Sequence, residues 1–452
     1  MSAKIYLMSL GCDKNRVDGE VMVGTLRLAG YDVVNNPEAA VAIIINTCGF
    51  IRDAVQESLD MVFQLAAHKR DGNCKALIIV GCMAQRYKNE IKETIPEADA
   101  IIGVGEYDKI ADVVASLIGP ATSGNGFETY DEASHDRSTA LPSAGARLSA
   151  RTDAEASHIA YVKIAEGCDN HCAYCTIPQI RGGYRSRVME EIVEECRVLA
   201  DAGAKEIVLV AQDTALYGTD IYGEKKLPAL LREIAEKSGA EWIRLMYAYP
   251  EHITTELIDT MAEIPQICKY IDMPIQHSED SVLSRMGRAG GKQALKEIIQ
   301  TLREKVAGIT IRTTLMVGFP SETVEDFRNL YRFAREMKFD RLGAFPYSRE
   351  EGTAAATMPQ QVKDEVKQLR LSRIMALQQK IHFAKQRALV GQTLSVMVDS
   401  QHEGEYTGRT QGDAYEVDAV VNFTSPEKLK QGEIRKVKII AADDYDLKGE
   451  SL

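Results

Sequence analysis

Residues 4–10, 41–45 and 76–80 are runs dominated by Ile, Leu, Val and Ala, the pattern of parallel strands buried on both faces. Residues 17–29 and 54–67 between them place apolar side chains at helical spacing, so residues 1–120 are expected to form a doubly wound α/β domain. From 121 to 157 the chain turns to Ser, Ala, Gly, Thr and Asp without a sustained period, which predicts a linker with a short hairpin.

From residue 159 a strand pattern followed by a helix pattern recurs six times. The strands fall at 161–164, 206–210, 242–247, 270–274, 309–317 and 341–345, with helices such as 188–202, 292–305 and 323–337 between them. Six βα units are too few to close an eight-stranded barrel, so residues 158–386 are expected to form a partial (βα)6 barrel with its chemistry at the carboxyl ends of the strands. A helix over 361–389, apolar along Leu369, Ile374, Leu377 and Ile381, leads into short strands at 393–398, 405–409, 416–421 and 434–441. With turns at Gly404, Gly412 and Gly432 they predict a small antiparallel β-barrel over 387–452.

Two sets of cysteines stand out on this framework. The loop Cys168-Asp-Asn-His-Cys172-Ala-Tyr-Cys175 follows the first strand of the partial barrel, and its three thiols can converge on one soft metal centre. Three protein sulfurs leave one iron of a four-iron cluster open to a substrate or cofactor, the arrangement that catalysis needs. A redox dithiol at Cys172 and Cys175, or zinc completed by His171, are the alternatives. Cys12, Cys48 and Cys82 each lie just past one of the first three strands, and carboxyl ends of parallel strands share one edge of a sheet, so they form a second expected three-cysteine site. Cys74, Cys196 and Cys268 lack such placement and read as structural. Other strand ends carry Gln212, Asp213, Tyr249, Gln276, His277 and the run Gly318-Phe-Pro320, candidates for polar contacts to a bound cofactor. Arg244 and Arg312, within strands, would need a carboxylate if they point inward.

Composition narrows the class. Nine cysteines without a signal-peptide pattern argue for metal or redox chemistry in the cytoplasm rather than a disulfide framework. A net charge of −12, and no apolar stretch long enough to span a bilayer, argue against a membrane protein and a general nucleic-acid coat. Between Ala388 and Leu452 seven Lys and Arg stand against twelve Asp and Glu, a balance that favours a basic protein partner over a phosphate backbone.

The Cys168 loop, with Tyr174 just before its last cysteine, resembles the radical S-adenosylmethionine (SAM) superfamily. The order of the three regions, the last of them like a TRAM domain, resembles the methylthiotransferases within it. Ser9-Leu-Gly-Cys-Asp-Lys-Asn-Arg-Val-Asp18, Asn46-Thr-Cys-Gly-Phe-Ile51, Asp272-Met-Pro-Ile-Gln-His277 and Tyr347-Ser-Arg-Glu-Glu-Gly-Thr353 look like the RimO branch, although Asp13 and Gly19 stand where that branch usually has proline and serine.

The resemblance implies two 4Fe-4S clusters. One, on Cys168, Cys172 and Cys175, cleaves SAM to a deoxyadenosyl radical; the other, on Cys12, Cys48 and Cys82, is an auxiliary cluster that carries sulfur. A second SAM is the methyl donor, and Tyr174, Gln212, Asp213 and Gln276 are the expected SAM contacts. The implied reaction is methylthiolation of the β-carbon of an aspartate in the twelfth small-subunit ribosomal protein, by a monomer served by an electron donor protein. The rival readings are a tRNA methylthiotransferase acting on a modified adenosine and a non-enzymatic iron-sulfur sensor. The acidic terminal barrel is expected to dock the ribosomal protein and present its aspartate.

Overall fold

The computed structural model describes residues 2–120 and 157–452; the expected linker and hairpin lie outside the described residues, save Ser157. Backbone packing divides the description into two units. The first comprises the residues up to 120 with 166–169 and 175–184, and the second comprises 157–165, 170–174 and 185–452.

In the first unit β1 (Lys4–Ser9), β2 (Asp32–Val34), β3 (Ala42–Thr47), β4 (Ala76–Gly81) and β5 (Ala100–Ile102) form a parallel sheet in the order β2-β1-β3-β4-β5. Every residue of β3 and β4 is buried, which is why these strands are continuous apolar runs rather than alternating ones. Ala42 and Ile44 pack with Met22, Leu26 and Val113 on one face, and Ile43 and Ile45 pack with Val62, Leu65 and Ala66 on the other. Each buried Ile, Leu, Val or Met among them contributes about 1.5–3 kcal/mol. The helix Asp13–Leu28 has Asp13 in its first turn and Arg27 in its last, both favourable to its dipole.

In the second unit β6 (Ile159–Lys163) precedes two short strands, β7 (Ala165–Glu166) and β8 (Arg185–Ser186), that bracket the cysteine loop in sequence. Five further strands follow: β9 (Glu206–Val210), β10 (Trp242–Leu245), β11 (Ile267–Asp272), β12 (Thr310–Val317) and β13 (Arg341–Pro346). With β6 they make an open parallel sheet in chain order, β6 at one edge and β13 at the other. This is the partial barrel of six βα units. Among the described residues no helix is long and apolar enough to cross a membrane.

A closed barrel follows, made of β14 (Thr393–His402), β15 (Glu405–Arg409), β16 (Val421–Thr424), β17 (Ile434–Ala442) and β18 (Leu447–Ser451) around Val396, Val398, Phe423, Val437 and Ile439. Its pairings are antiparallel except β16 with β18, which is parallel. Two local expectations are corrected. Residues 416–420 are not a strand: Asp418 accepts from Ala414 N at 3.0 Å and from the Tyr270 hydroxyl at 2.8 Å, which draws the segment into a turn. In the helix Asp364–Arg387, Ile374 and Leu377 are buried as expected, but Leu369 is 51% exposed and the buried face also carries Lys367, Arg370, Gln378, His382 and Gln386. The polar members of that face supply hydrogen bonds: Gln378 donates to Phe339 O at 3.0 Å, and Gln386 donates to Tyr445 O at 2.9 Å.

The terminal barrel packs on the amino ends of the six-stranded sheet. His158, just before β6, lies 2.8 Å from Asp399, and Arg244 of β10 donates to Gln411 O at 2.8 Å. Arg312 of β12 pairs with Asp418 at 2.9 Å, and Arg341 at the start of β13 pairs with Asp413. Arg244 and Arg312 thus meet carboxylates of the chain itself, Glu206 for the first and Asp272 and Asp418 for the second. The cysteine loop leaves from the opposite, carboxyl ends. Direct presentation of a substrate over that loop by the terminal barrel is therefore not what this packing provides.

Candidate active site

The strand order of the first unit reverses between β1 and β3, and ligands bind outside the carboxyl ends of strands at such a switch point. Cys12 caps the helix that follows β1, Cys48 is the residue after β3, and Cys82 opens the helix Cys82–Arg86 directly after β4. The turns are packed tightly: at Gly11, with φ of +88°, an added Cβ would lie 2.8 Å from Cys48 Cβ. Burial pushes the Cys48 thiol up, with Cys12 adding to the effect against backbone N–H groups and Arg181. Burial likewise pushes Cys82 up to about 11, Arg181 opposing it and Cys12 and Cys48 adding to it. Cys12 therefore acts on Cys48, and both act on Cys82, and metal ligation would displace the protons that Cys48 and Cys82 hold.

A polar web lies beneath these turns. Asn15 donates to Leu10 O at 3.0 Å and to Thr47 O at 2.9 Å, pinning the ends of β1 and β3 just before their cysteines. Arg181, its side chain 1% exposed, donates to Asn15 Oδ1 at 2.6 Å and to Cys82 Sγ at 3.4 Å, and pairs with Glu166 at 2.9 Å and Asp18 at 3.2 Å. Burial alone would lower its pKa; Glu166, Cys82 and Asp18 outweigh burial and keep it charged. Sequence reasoning missed Asn15, Glu166 and Arg181, whose only signal is an arginine set in the apolar run Thr176-Ile-Pro-Gln-Ile-Arg181.

The loop of Cys168, Cys172 and Cys175 is fixed by its own neighbours within each unit. In the first unit Cys168 N donates to Gly182 O at 3.1 Å and Tyr184 N to Asp169 Oδ1 at 2.9 Å. Gly167, with φ of +79°, comes so close to Gly183 that a Cβ there would lie 2.0 Å from its carbonyl oxygen. Cys175 Sγ accepts from Ile177 N at 3.4 Å. In the second unit Asn170 donates to Asp213 Oδ2 at 3.1 Å, Ala173 N donates to Met286 O at 2.9 Å, and the Tyr174 ring meets Phe319 edge-on at 6.4 Å.

Cys172 Sγ lies 3.5 Å from the Tyr249 hydroxyl, and the Arg288 guanidinium stacks 3.9 Å from the centre of that ring. Burial first, then Cys172, holds the Tyr249 phenol well above its ordinary range, so it stays protonated and is the donor wherever Cys172 is a thiolate.

The other strand-end candidates divide by their partners. Asp213 is buried, and its oxygens accept from Asn170, from Ala215 N at 3.2 Å and from His252 Nδ1 at 2.5 Å, so it holds the loop and caps the turn after β9. Gln276 adopts φ of +66° beyond β11, and its buried Oε1 has no hydrogen-bond partner among the described residues, an acceptor suited to a bound ligand. Gln212 lies at the end of β9 beside Asp213. His277 is buried, its Nδ1 accepts from Glu279 N at 3.0 Å, and burial pushes it down to about 3, which removes it as a base near neutrality.

Among the described residues no three His, Cys, Asp or Glu side chains converge closely enough for a single metal ion. A four-iron cluster takes each cysteine sulfur on a different iron. All-thiol donor sets, largely buried and with hydrogen-bond donors at Cys82, Cys172 and Cys175, fit such clusters.

Residues 4–103 match the family described as uncharacterized protein family UPF0004, 162–334 the radical SAM superfamily, and 390–452 the TRAM domain. In fold the chain is similar to the radical SAM methyltransferase TsrM from Kitasatospora setae, solved with cobalamin and a [4Fe-4S] cluster, at a TM-score of 0.54 and 13% identity over 90% of this chain and 81% of that one. Its sequence is 48% identical to the ribosomal protein uS12 methylthiotransferase RimO of Desulforamulus reducens over 99% of both chains. The same enzyme of Clostridioides difficile is 45% identical, again over 99% of both. That of Desulfitobacterium hafniense is 44% identical over 100% of this chain and 99% of its own. By this likeness along its whole length, the chain belongs to the RimO family of uS12 methylthiotransferases.

Proposed function

We propose that this chain is a radical SAM methylthiotransferase that adds a methylthio group to the β-carbon of an aspartate in ribosomal protein uS12. The observation that carries the reading is full-length likeness to RimO relatives in a chain with two separate three-cysteine sets. An unactivated C–H bond offers no acidic proton, so the neutral His277 and its neighbours are not asked to remove one. With SAM, a cluster on Cys168, Cys172 and Cys175 would supply the hydrogen-abstracting chemistry, and one on Cys12, Cys48 and Cys82 would carry the sulfur.

The chain's own residues position and shield. Asp213 fixes the loop through Asn170, and Tyr249 would donate to Cys172 as a thiolate ligand. Tyr174, Gln212 and Gln276 are the side chains assigned to SAM. Tyr174, braced by Phe319, supplies an apolar wall, and Gln276 Oε1 supplies an acceptor. Asp213 acts through these neighbours. The enzyme works as a cytoplasmic monomer with an electron donor protein, and takes a basic protein rather than tRNA as substrate.

The test is an anaerobic reaction of the reconstituted chain with SAM, reductant and either uS12 or tRNA, read by mass spectrometry. A methylthio group on an aspartate of uS12 is expected; modification of an adenosine with uS12 untouched would reassign the substrate.

A further inference from the structure

Arg181 ends the five-residue helix Ile177–Arg181, six residues past Cys175, yet its guanidinium lies within the web of the other cysteine set. A buried arginine between Glu166 and Asp18 would by itself be ordinary structural cement. Two features go beyond that. Its Nη2 reaches both Cys82 Sγ, at 3.4 Å, and Asn15 Oδ1, at 2.6 Å, and Asn15 holds the carbonyls of Leu10, two residues before Cys12, and Thr47, next to Cys48. One side chain is thus bonded directly to one auxiliary cysteine and, through Asn15, to the strand ends that carry the other two.

We infer that Arg181 is a positioning residue for the auxiliary cluster: it donates to the Cys82 ligand sulfur, sets the spacing of the three cysteines through Asn15, and holds the cluster's reduction potential above the value it would have without that donor. Hydrogen bonds to ligand sulfurs and nearby positive charge favour the reduced, more negative cluster. Glu166 and Asp18 offset part of that charge, so the potential depends on the balance of one cation and two carboxylates. Arg181 also lies on the segment that leaves Cys175, so the loop of one cysteine set is covalently continuous with a ligand contact of the other.

The inference rests on the proposed cluster at Cys12, Cys48 and Cys82. It is tested in the full chain with Cys168, Cys172 and Cys175 replaced by Ala, leaving one cysteine set to take iron. Iron per chain and the midpoint potential, followed by electron paramagnetic resonance, are compared for this parent and for its R181K, R181Q and E166Q variants. R181Q is expected to shift the midpoint negative and to lose part of its iron, R181K to recover much of both, and E166Q to shift it positive. Full iron with unchanged midpoints in R181Q and E166Q overturns the inference. Should R181Q not fold, E166Q alone decides by the sign of its shift. A folded parent that binds no iron overturns the auxiliary-cluster assignment and this inference with it.

Discussion

Arg409 meets Glu206 at 2.8 Å, both side chains buried, and the pair ties the terminal barrel to the first residue of β9. Glu206 also pairs with Arg244, so one carboxylate holds two cations away from water. Burial alone would raise the Glu206 carboxyl; Arg244 and Arg409 outweigh it and hold it below its ordinary range. Glu206→Ala leaves the buried Arg244 without its carboxylate, Arg409 keeping only Asp399, and is expected to destabilise the second unit by roughly 3–5 kcal/mol, measured by denaturant unfolding. Because the folded pKa is depressed, the pair's stabilisation is present above the usual carboxylate range and is lost as pH falls below it. An unfolding midpoint in Glu206→Ala equal to that of the parent at neutral pH would refute this account.

His277 makes a pH prediction of its own. Burial lowers its pKa from 6.5 to about 3, so the unfolded chain binds a proton in that interval that the folded chain does not. Its contribution is fully present above pH 6.5 and is lost as pH falls toward 3. Replacing it by Asn should flatten the fall of stability with acid across that window, read from urea midpoints in a pH series. The iron-dependent activity of the parent should show no step from this residue near neutrality.

Gly167 is the tightest point beside the cysteine loop. A Cβ there would lie 2.0 Å from Gly183 O and would force a left-handed conformation that costs a non-glycine residue about 1–3 kcal/mol. Gly167→Ala is expected to displace Cys168 and to reduce iron bound by the loop several-fold while the terminal barrel still folds. Iron counting on the Cys12, Cys48, Cys82→Ala background isolates the effect.

Removing the cysteine sets one at a time separates their roles. The parent should take up about eight irons on anaerobic reconstitution. With Cys12, Cys48 and Cys82 replaced by Ala, about half should remain with SAM cleavage intact and methylthio transfer abolished. If a folded triple variant lost SAM cleavage as well, the two sets would not divide the work.

Much of this was legible because it rests on short-range pattern. Continuous apolar runs identify β3 and β4, and a cysteine after each of three parallel strands is enough to place Cys12, Cys48 and Cys82 along one sheet edge. What escaped depends on side chains meeting across long stretches of sequence. Nothing local marks Arg181 as a partner of Asn15, 166 residues away, or Asp418 as a partner of Arg312. Long-range hydrogen bonds of the same kind explain the misread strand at 416–420 and the polar residues that join Ile374 and Leu377 on the buried face of the helix Asp364–Arg387. Asp213 was legible as a polar strand end, but its engagement by Asn170 and His252 was not.

The junction also changes how the terminal barrel's charge is weighed. The side chains of Asp399, Asp413, Asp418 and Arg409 are all buried in contacts with the sheet or each other. Setting them aside leaves six basic against nine acidic residues, so the free surface is less acidic than the composition of the segment implies. Deleting the barrel would strip partners from Arg244, Arg312 and Arg341 and would test stability rather than docking. The sharper test reverses exposed charge alone, with Glu403, Glu405, Asp444 and Glu450 changed to Lys in the full chain. If the barrel attracts a basic protein, affinity for uS12 should fall about ten-fold or more at low salt, with the difference shrinking as salt rises and screening shortens. SAM cleavage and the unfolding midpoint should stay at parental values. Unchanged uS12 affinity, with tRNA binding tightened to the level of a true substrate, would move the docking surface away from this barrel and reopen the nucleic-acid reading.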